Sequence, residues 1–308
     1  MTKKPSVCIL MSTYNGKAYI EEQIESILLQ KADVRLLIYI RDDGSNDGIQ
    51  DILNSYSQKY KNIIWYQGKN VGPTGSFLDL LYSSPVADYY GFADQDDVWY
   101  HDKIAAALNC LSQMSSDMPC LYFCKKEIVN ERLESIGITD TIVNDTTIGC
   151  AMINSVASGC TMLFNNKLMN ILKIYRPNIT SLSMHDAWVY RVAAAIGIVI
   201  YDNEPHMFYR QHGKNVVGAD MNTMKLWVHR WKNLFKHRLD NKRSMMAKEI
   251  VKGYGSYLDE KDFIMIKSLA NIRTSWMCRF RVIFSNYFKT QKRYEIAFVK
   301  VFAVLGWL

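Results

Sequence analysis

The sequence predicts an α/β fold, a mostly parallel sheet with helices on both faces. Three observations carry that expectation. Short apolar runs alternate with segments whose apolar residues recur at helical spacing. The runs are apolar at nearly every position, as strands covered on both faces are. The chain has 308 residues, 49% hydrophobic and 22% charged, an ordinary folded composition long enough for one large domain and an appendage.

The elements follow in order. "SVCILMS" (6–12) is the first strand, and "GKAYIEEQIESILLQ" (16–30) places Ile20, Ile24, Ile27 and Leu28 on one helical face. "RLLIYIRDD" (35–43) is the second strand, ended by the turn residues "GSNDG". "IQDILNSYSQKY" (49–60) reads as a helix, "NIIWYQ" (62–67) as the third strand, and "GPTGSFLDLLYSS" (72–84) opens another helix. "ADYYGFAD" (87–94) is the fourth strand, and "DKIAAALNCLSQM" (102–114) is the helix after it, with Asp102 as its candidate cap. In such sheets ligands bind beyond the carboxyl ends of the strands. Ser12, Thr13 and Tyr14, then Asp42 and Asp43, then Asp94, Gln95 and Asp96 all fall at those ends.

The stretch "GFADQDDVW" (91–99) sets Asp94, Asp96 and Asp97 within four positions. Clustered carboxylates repel and raise one another's pKa. Capping accounts poorly for three acids where Asp102 already stands at the helix start. There is no G-x-x-x-x-G-K-[ST] and no G-x-G-x-x-G after the first strand. A carboxylate rim repels a diphosphate unless a divalent cation bridges the two. Carboxylate oxygens are hard ligands that suit Mg²⁺ or Mn²⁺.

"ILMSTYNG" (9–16), "IRDDGSNDG" (40–48) and "FADQDDVW" (92–99) resemble the leading motifs of family 2 glycosyltransferases. Those enzymes have the GT-A fold and use nucleotide-diphosphate sugars. The resemblance covers roughly residues 5–215. "SLSMHDAW" (181–188) and "YRQHGKNVVG" (209–218) further resemble the rhamnosyltransferase-like branch, which builds bacterial surface polysaccharides. The resemblance implies a role for each cluster. Asp43 accepts the N3–H of a uracil or thymine ring, as an acceptor-only group can; on composition alone the same stretch is simply a turn. Ser12 and Tyr14 lie beside the base. Asp96 contacts the metal, and Asp94 the ribose or the metal's surroundings. His212, in a loop-like segment, is a further metal ligand or a surface residue. Asp186 in "MHDAW" takes the acceptor hydroxyl's proton, where the residues alone allow a helix cap equally well. His185 orients the base or the acceptor. "SVASGCTMLFN" (155–165) is an acceptor-side strand in which Gly159 permits close approach of the sugar. "NVGPTGSF" (70–77) lies beside the donor, or is only a loop and helix start.

Charge divides the chain. Residues 225–308 carry 18 Lys and Arg against 6 Asp and Glu, a balance of +12, and the remainder carries −5. That shift places a boundary near residue 220, between a catalytic domain (1–220) and a helical basic region (221–308). In "KLWVHRWKNLFKHRL" (225–239), Trp227, Trp231, Leu234 and Phe235 share a face opposite Arg230, Lys232, Lys236 and Arg238. "WMCRFRVIFSNYFKTQKRY" (276–294) is a second aromatic and basic stretch. Both read as membrane-surface anchors or as packing or homodimer surfaces. No nucleic-acid motif accompanies the basic charge. The seven cysteines form no C-x-x-C and read as reduced thiols. The N-terminal apolar run is too short for a signal peptide, and no run of about 18 apolar residues spans a bilayer. The expected location is cytoplasmic, at the inner face of the cell membrane.

The expected activity is an inverting, metal-dependent transfer from a nucleotide-diphosphate sugar to a growing, lipid-linked glycan. The resemblance points to dTDP-L-rhamnose as donor. A UDP-hexose or UDP-N-acetylhexosamine transferase, or a non-catalytic protein binding sugar nucleotides or anionic lipid, are the alternatives.

Overall fold

The computed structural model describes residues 4–115, 117–139, 143–212, 241–292 and 295–308. Its first half is β1 (Ser6–Thr13), α1 (Ile20–Leu28), β2 (Arg35–Asp42), α2 (Ile49–Lys59), β3 (Ile63–Gln67), α3 (Gly72–Ser83), β4 (Tyr89–Ala93), the two-residue β5 (Val98–Trp99) and α4 (Lys103–Ser112). Then come β6 (Cys120–Val129), β7 (Ser135–Ile138), α5 (Ile148–Ile153), β8 (Leu163–Asn165), α6 (Asn166–Ile174), α7 (His185–Ile196) and β9 (Ile198–Arg210). Four further helices follow: α8 (Lys242–Tyr254), α9 (Glu260–Ala270), α10 (Trp276–Phe284) and α11 (Glu295–Leu305).

One sheet runs β3-β2-β1-β4-β8-β6-β9-β5, with β7 pairing antiparallel to the far end of β6, beyond the residues that β8 pairs. β3, β2, β1 and β4 are mutually parallel, and so are β6 and β9. β8 joins the two halves by antiparallel pairing to β4 and β6. Alternation along β1 shows why its run is apolar throughout. Val7, Ile9 and Met11 enter the core under α1, α2 and α4, while Cys8 and Leu10 enter the core under α3, α6 and α7.

Several expectations shift in detail. α1 begins at Ile20, not Gly16, because Gly16 to Tyr19 form a turn in which Tyr19 N donates to Gly16 O (3.1 Å), and Tyr19 leaves the helical φ,ψ region at the cap position. Asp102 stands before α4 but makes no capping bond; its carboxylate meets His206 Nδ1 at 3.2 Å instead. Only the end of the expected strand over 155–165 forms: residues 155–158 have no regular structure, Gly159–Thr161 is a 3-10 turn, and the short β8 follows. All seven cysteines are unpaired, as read from sequence. The helix expected over 225–239, and the residue-220 boundary itself, lie outside the described residues.

Composition changes near residue 220, yet one hydrophobic cluster contains residues from both sides of that point, from Cys8 to Leu308. Trp188 of α7 is fully buried, with its ring 5.8 Å from Tyr254 of α8 and 6.5 Å from Tyr175. Trp188→Ala empties that junction. Chemical denaturation should show a loss of about 3–5 kcal/mol, the usual cost of deleting a large buried ring.

Candidate active site

The pairing register brings the polar clusters to one edge. Met11 lies opposite both Ile40 and Ala93, and Thr13 opposite Asp42. Ser12 and Asp94 therefore stand level on adjacent strands, and Asp43 follows just past the Thr13–Asp42 pair, so all three reach the same sheet edge.

The β2 end carries two carboxylates with different duties. Asp42 is fully enclosed and accepts from Ser45 N (3.0 Å) and Gln50 Nε2 (2.7 Å), so it shapes the turn. Gly44 and Gly48 in that turn both have a left-handed φ. Asp43 Oδ1 pairs with Arg41 and accepts from Val71 N (3.0 Å), while Oδ2 accepts from Gly72 N (2.9 Å). A carboxylate has about four acceptor positions, so Asp43 keeps one for a further donor. Arg41 is the hub of this corner, since it also reaches Asp79 Oδ2 (2.8 Å), Ser76 Oγ (3.0 Å) and Lys69 O (3.0 Å). Ser12 Oγ lies 2.6 Å from Ser76 Oγ, and the Tyr14 side chain is half exposed above the rim.

The β4 end carries the acid cluster. Gln95, given no role from sequence, is its clasp. Its Oε1 accepts from Thr13 Oγ1 (2.6 Å) and Tyr14 N (2.8 Å), and its Nε2 donates to Tyr14 O (3.2 Å). A side chain at Gly16 would collide with it, since a Cβ there would stand 2.1 Å from Gln95 Oε1. Asp96 Oδ2 meets His212 Nε2 at 2.8 Å, and the His212 ring stacks on Tyr19 at 4.9 Å. The two residues expected to share a metal are thus adjacent.

Burial, then the nearby Asp96 and Asp186, pushes the Asp94 carboxyl up to about 7. Burial, then the nearby Asp94 and Asp96, push Asp97 well above the usual carboxylate range. Ionising Asp94 therefore costs stability as pH rises from the ordinary carboxylate range towards 7, and a bound cation would offset that cost. Ligand atoms of Asp94, Asp97 and Cys160 lie within 4.8 Å of one another. Asp97 Oδ2 is buried with no hydrogen-bond partner among the described residues. Burial holds the Cys160 thiol well above its ordinary value, so it stays protonated and is a poor ligand for a hard ion. The carboxylates with His212 fit a divalent cation; the thiol does not.

Three cations surround the acids, and sequence reasoning missed all of them. Buried Lys103 donates to Cys160 O and lies 3.7 Å over the Trp99 ring. Lys126 Nζ donates to Ser158 Oγ (3.0 Å) and lies 3.8 Å over Tyr209. Arg210 Nε donates to Asp96 O (3.0 Å), and its other nitrogens reach Glu131 O and Glu22. Arg210 stands inside "YRQHG", so its segment was legible but its role was not.

Asp186 sits in the first turn of α7, with Met184 at the cap position. Its Oδ2 accepts from Gly159 N (3.0 Å) and its Oδ1 from Ala187 N (2.6 Å). His185 points the other way, into the interior. Its ring stacks on Phe77 at 4.0 Å and meets Phe92 edge-on at 5.0 Å. Burial pushes its pKa down to about 4, so the imidazole is neutral, and neither ring nitrogen has a partner among the described residues. Gly159 does permit a close approach, but the group that approaches is α7. A Cβ at Gly159 would lie 2.8 Å from His185 Nε2 and 3.3 Å from Asp186 Cβ.

A GT-A fold with a carboxylate rim defines a glycosyltransferase. The chain belongs to glycosyl transferase family 2, whose pattern matches residues 8–157. It is 31% identical over 226 residues to the dTDP-rhamnosyl transferase RfbG of Shigella flexneri, an alignment covering 68% of this chain and 74% of that protein. Among solved structures it resembles S. aureus TarS residues 1–349, with a TM-score of 0.60 and 15% identity over 98% of this chain and 80% of that one. It also resembles the mannosyltransferase PcManGT from Pyrobaculum calidifontis in complex with GDP-Man and Mn²⁺, with a TM-score of 0.52 and 13% identity over 97% and 88% of the two chains.

Gly159→Ala should displace the start of α7 while leaving the β2 corner intact. Initial-rate kinetics should show transfer reduced about 10²-fold, as a displacement near 1 Å can do, with donor affinity close to wild type by calorimetry.

Proposed function

We propose that the chain transfers L-rhamnose from dTDP-L-rhamnose, by inversion and with a divalent cation, to a growing, lipid-linked bacterial surface glycan. The observation that carries this reading is the convergence of Asp94, Asp96 and Asp186, close enough to raise the Asp94 pKa together, on the rim where Asp43 keeps a free acceptor position. RfbG supports the donor by its name. Structural neighbours bound to UDP, UDP-GlcNAc and GDP-Man with Mn²⁺ support a nucleotide-sugar donor and a metal.

In this reading Asp43 accepts the N3–H of the thymine ring, with Ser12 and Tyr14 beside the base. Asp96 and His212 hold the cation, and Asp94 stands beside it facing the ribose or the ion. Bound there, Mg²⁺ or Mn²⁺ would neutralise the departing diphosphate, so no separate acid is needed. Asp186 takes the proton from the attacking hydroxyl. The Gly159 and Ala187 amides fix its carboxylate, and the neutral His185 ring props the start of its helix. Residues 1–220 form the catalytic part. The basic region 221–308 keeps the enzyme peripheral at the inner face of the membrane, where lipid-linked acceptors are concentrated. Among the described residues no helix is long and apolar enough to cross a membrane.

A uracil ring offers Asp43 the same donor as thymine, so the base contact leaves UDP-hexose and UDP-N-acetylhexosamine as competing donors. A nucleotide-release screen over dTDP- and UDP-sugars with Mg²⁺ or Mn²⁺ separates them. Release should be fastest from dTDP-L-rhamnose and stop in excess chelator. Release from UDP-sugars alone overturns the donor, and no release from any donor favours a binding protein. Asp96→Ala should abolish turnover and weaken donor binding; full activity there would remove the metal assignment.

Asp186→Asn keeps shape and removes the proton acceptor. Donor affinity should stay near wild type while transfer falls by roughly 10²–10⁴-fold, the usual worth of a general base. A collapse of donor affinity instead would make Asp186 a donor-binding residue.

A further inference from the structure

The last two helices present an apolar face that nothing among the described residues covers. In α10, Trp276, Met277, Phe280 and Phe284 are 68%, 71%, 57% and 76% exposed. Their spacing sets them along one side of the helix. In α11, Phe298, Val301, Val304 and Leu305 are also exposed and share a side. The opposite sides, carrying Val282, Val299 and Ala303, are buried in the main core. The two helices lie against each other, with Arg279 Nη1 donating to Val304 O (3.3 Å). The Phe280 and Phe284 rings stack at 5.9 Å, only 7° from parallel. A continuous exposed apolar face of this kind is unusual on a monomer and marks a contact surface.

The surrounding charge identifies the partner. Residues 271–308 hold seven Lys and Arg against one acid, Glu295. Arg273 and Arg281 are exposed, Lys300 is part-exposed on α11, and Lys289 is exposed but paired with Asp145 Oδ2 (2.8 Å). A second copy of the chain would bring like charge against like charge across a two-fold axis. An anionic surface with an apolar interior meets both features at once. We propose that the α10–α11 face docks on an anionic lipid bilayer, with Trp276, Phe280, Phe284 and Phe298 entering the headgroup boundary and the cations meeting lipid phosphates. The helices have 9 and 11 residues, so they lie on the surface and do not cross it. The face is distinct from the 225–239 stretch. It rests on the proposed lipid-linked acceptor for its purpose, but not for its binding.

The test uses the full chain and vesicles without any sugar. Wild type should sediment with phosphatidylglycerol–phosphatidylcholine vesicles, hardly with phosphatidylcholine alone, and be released in part by molar salt. The combined variant Trp276→Ser, Phe280→Ser, Phe284→Ser should partition about tenfold less, with nucleotide release in solution unchanged. Arg273→Glu with Lys300→Glu should weaken binding to anionic vesicles only. Because three substitutions together could perturb folding, a second measurement uses Trp276→Phe: brominated lipids should quench wild-type tryptophan emission more strongly than that of the variant. Wild type ignoring anionic vesicles overturns the proposal. So does a triple variant that sediments like wild type, or one that turns a dimer into a monomer without changing vesicle binding. Intact vesicle binding with no nucleotide release from any donor would instead remove the transferase reading and leave this surface standing.

Discussion

The structure depends on holding like charges together at one sheet edge. Asp43, Asp94, Asp96, Asp97 and Asp186 are gathered there, and their repulsion would open the edge if it were not countered. The chain counters it with cations drawn from both neighbouring and distant segments. Arg41 braces Asp43, and Lys103 and Lys126 offset Asp97 and Asp94. Arg210 holds the Asp96 carbonyl while reaching back to Glu22 on α1. Buried ions of this kind are costly to leave unpaired, at about 3–5 kcal/mol when one partner is removed. The same contacts that make the edge tolerable therefore make it rigid.

Rigidity of that kind is what the proposed displacement would use. A general base contributes only when its lone pair is already aimed. The Asp186 carboxylate is aimed by two backbone amides, from Gly159 and from its own helix. The helix is propped from beneath by a neutral His185 between Phe77 and Phe92. Gly16 and Gly159 are small for the same reason: each leaves room for a side chain that organises the rim, Gln95 in one case and His185 in the other.

The C-terminal helices tie this arrangement to the rest of the molecule. α7 starts with His185 and Asp186 and continues into Trp188, which packs on Tyr254 of α8. Stability of the basic region and placement of Asp186 therefore share one hydrophobic cluster, although charge divides the chain near residue 220. The outer side of the same region is where apolar and basic groups remain exposed, so one segment serves the core with one face and the surroundings with the other.

The strand and helix order, the rim and its acids were legible in the sequence because local rules decide them. A continuous apolar run places Val7 to Met11 and period-3.6 patterning places Ile20 to Ile27, and parallel strands must deliver their ends to one edge. The resemblance then pointed to Asp43, Asp94, Asp96 and Asp186. Three features were decided only by the tertiary structure: the Gln95 clasp on Thr13, the Lys103 contact to Cys160, and the Arg210 reach to Glu22. These partners are 82, 57 and 188 positions apart. His185 followed the same logic. The resemblance gave it a role orienting the base or the acceptor beside Asp186, but helical geometry turns consecutive side chains about 100° apart, so one faces the rim while the other enters the aromatic core. Local pattern sets which residues reach the edge; packing across the sheet sets which of them face the ligand and which hold the others in place.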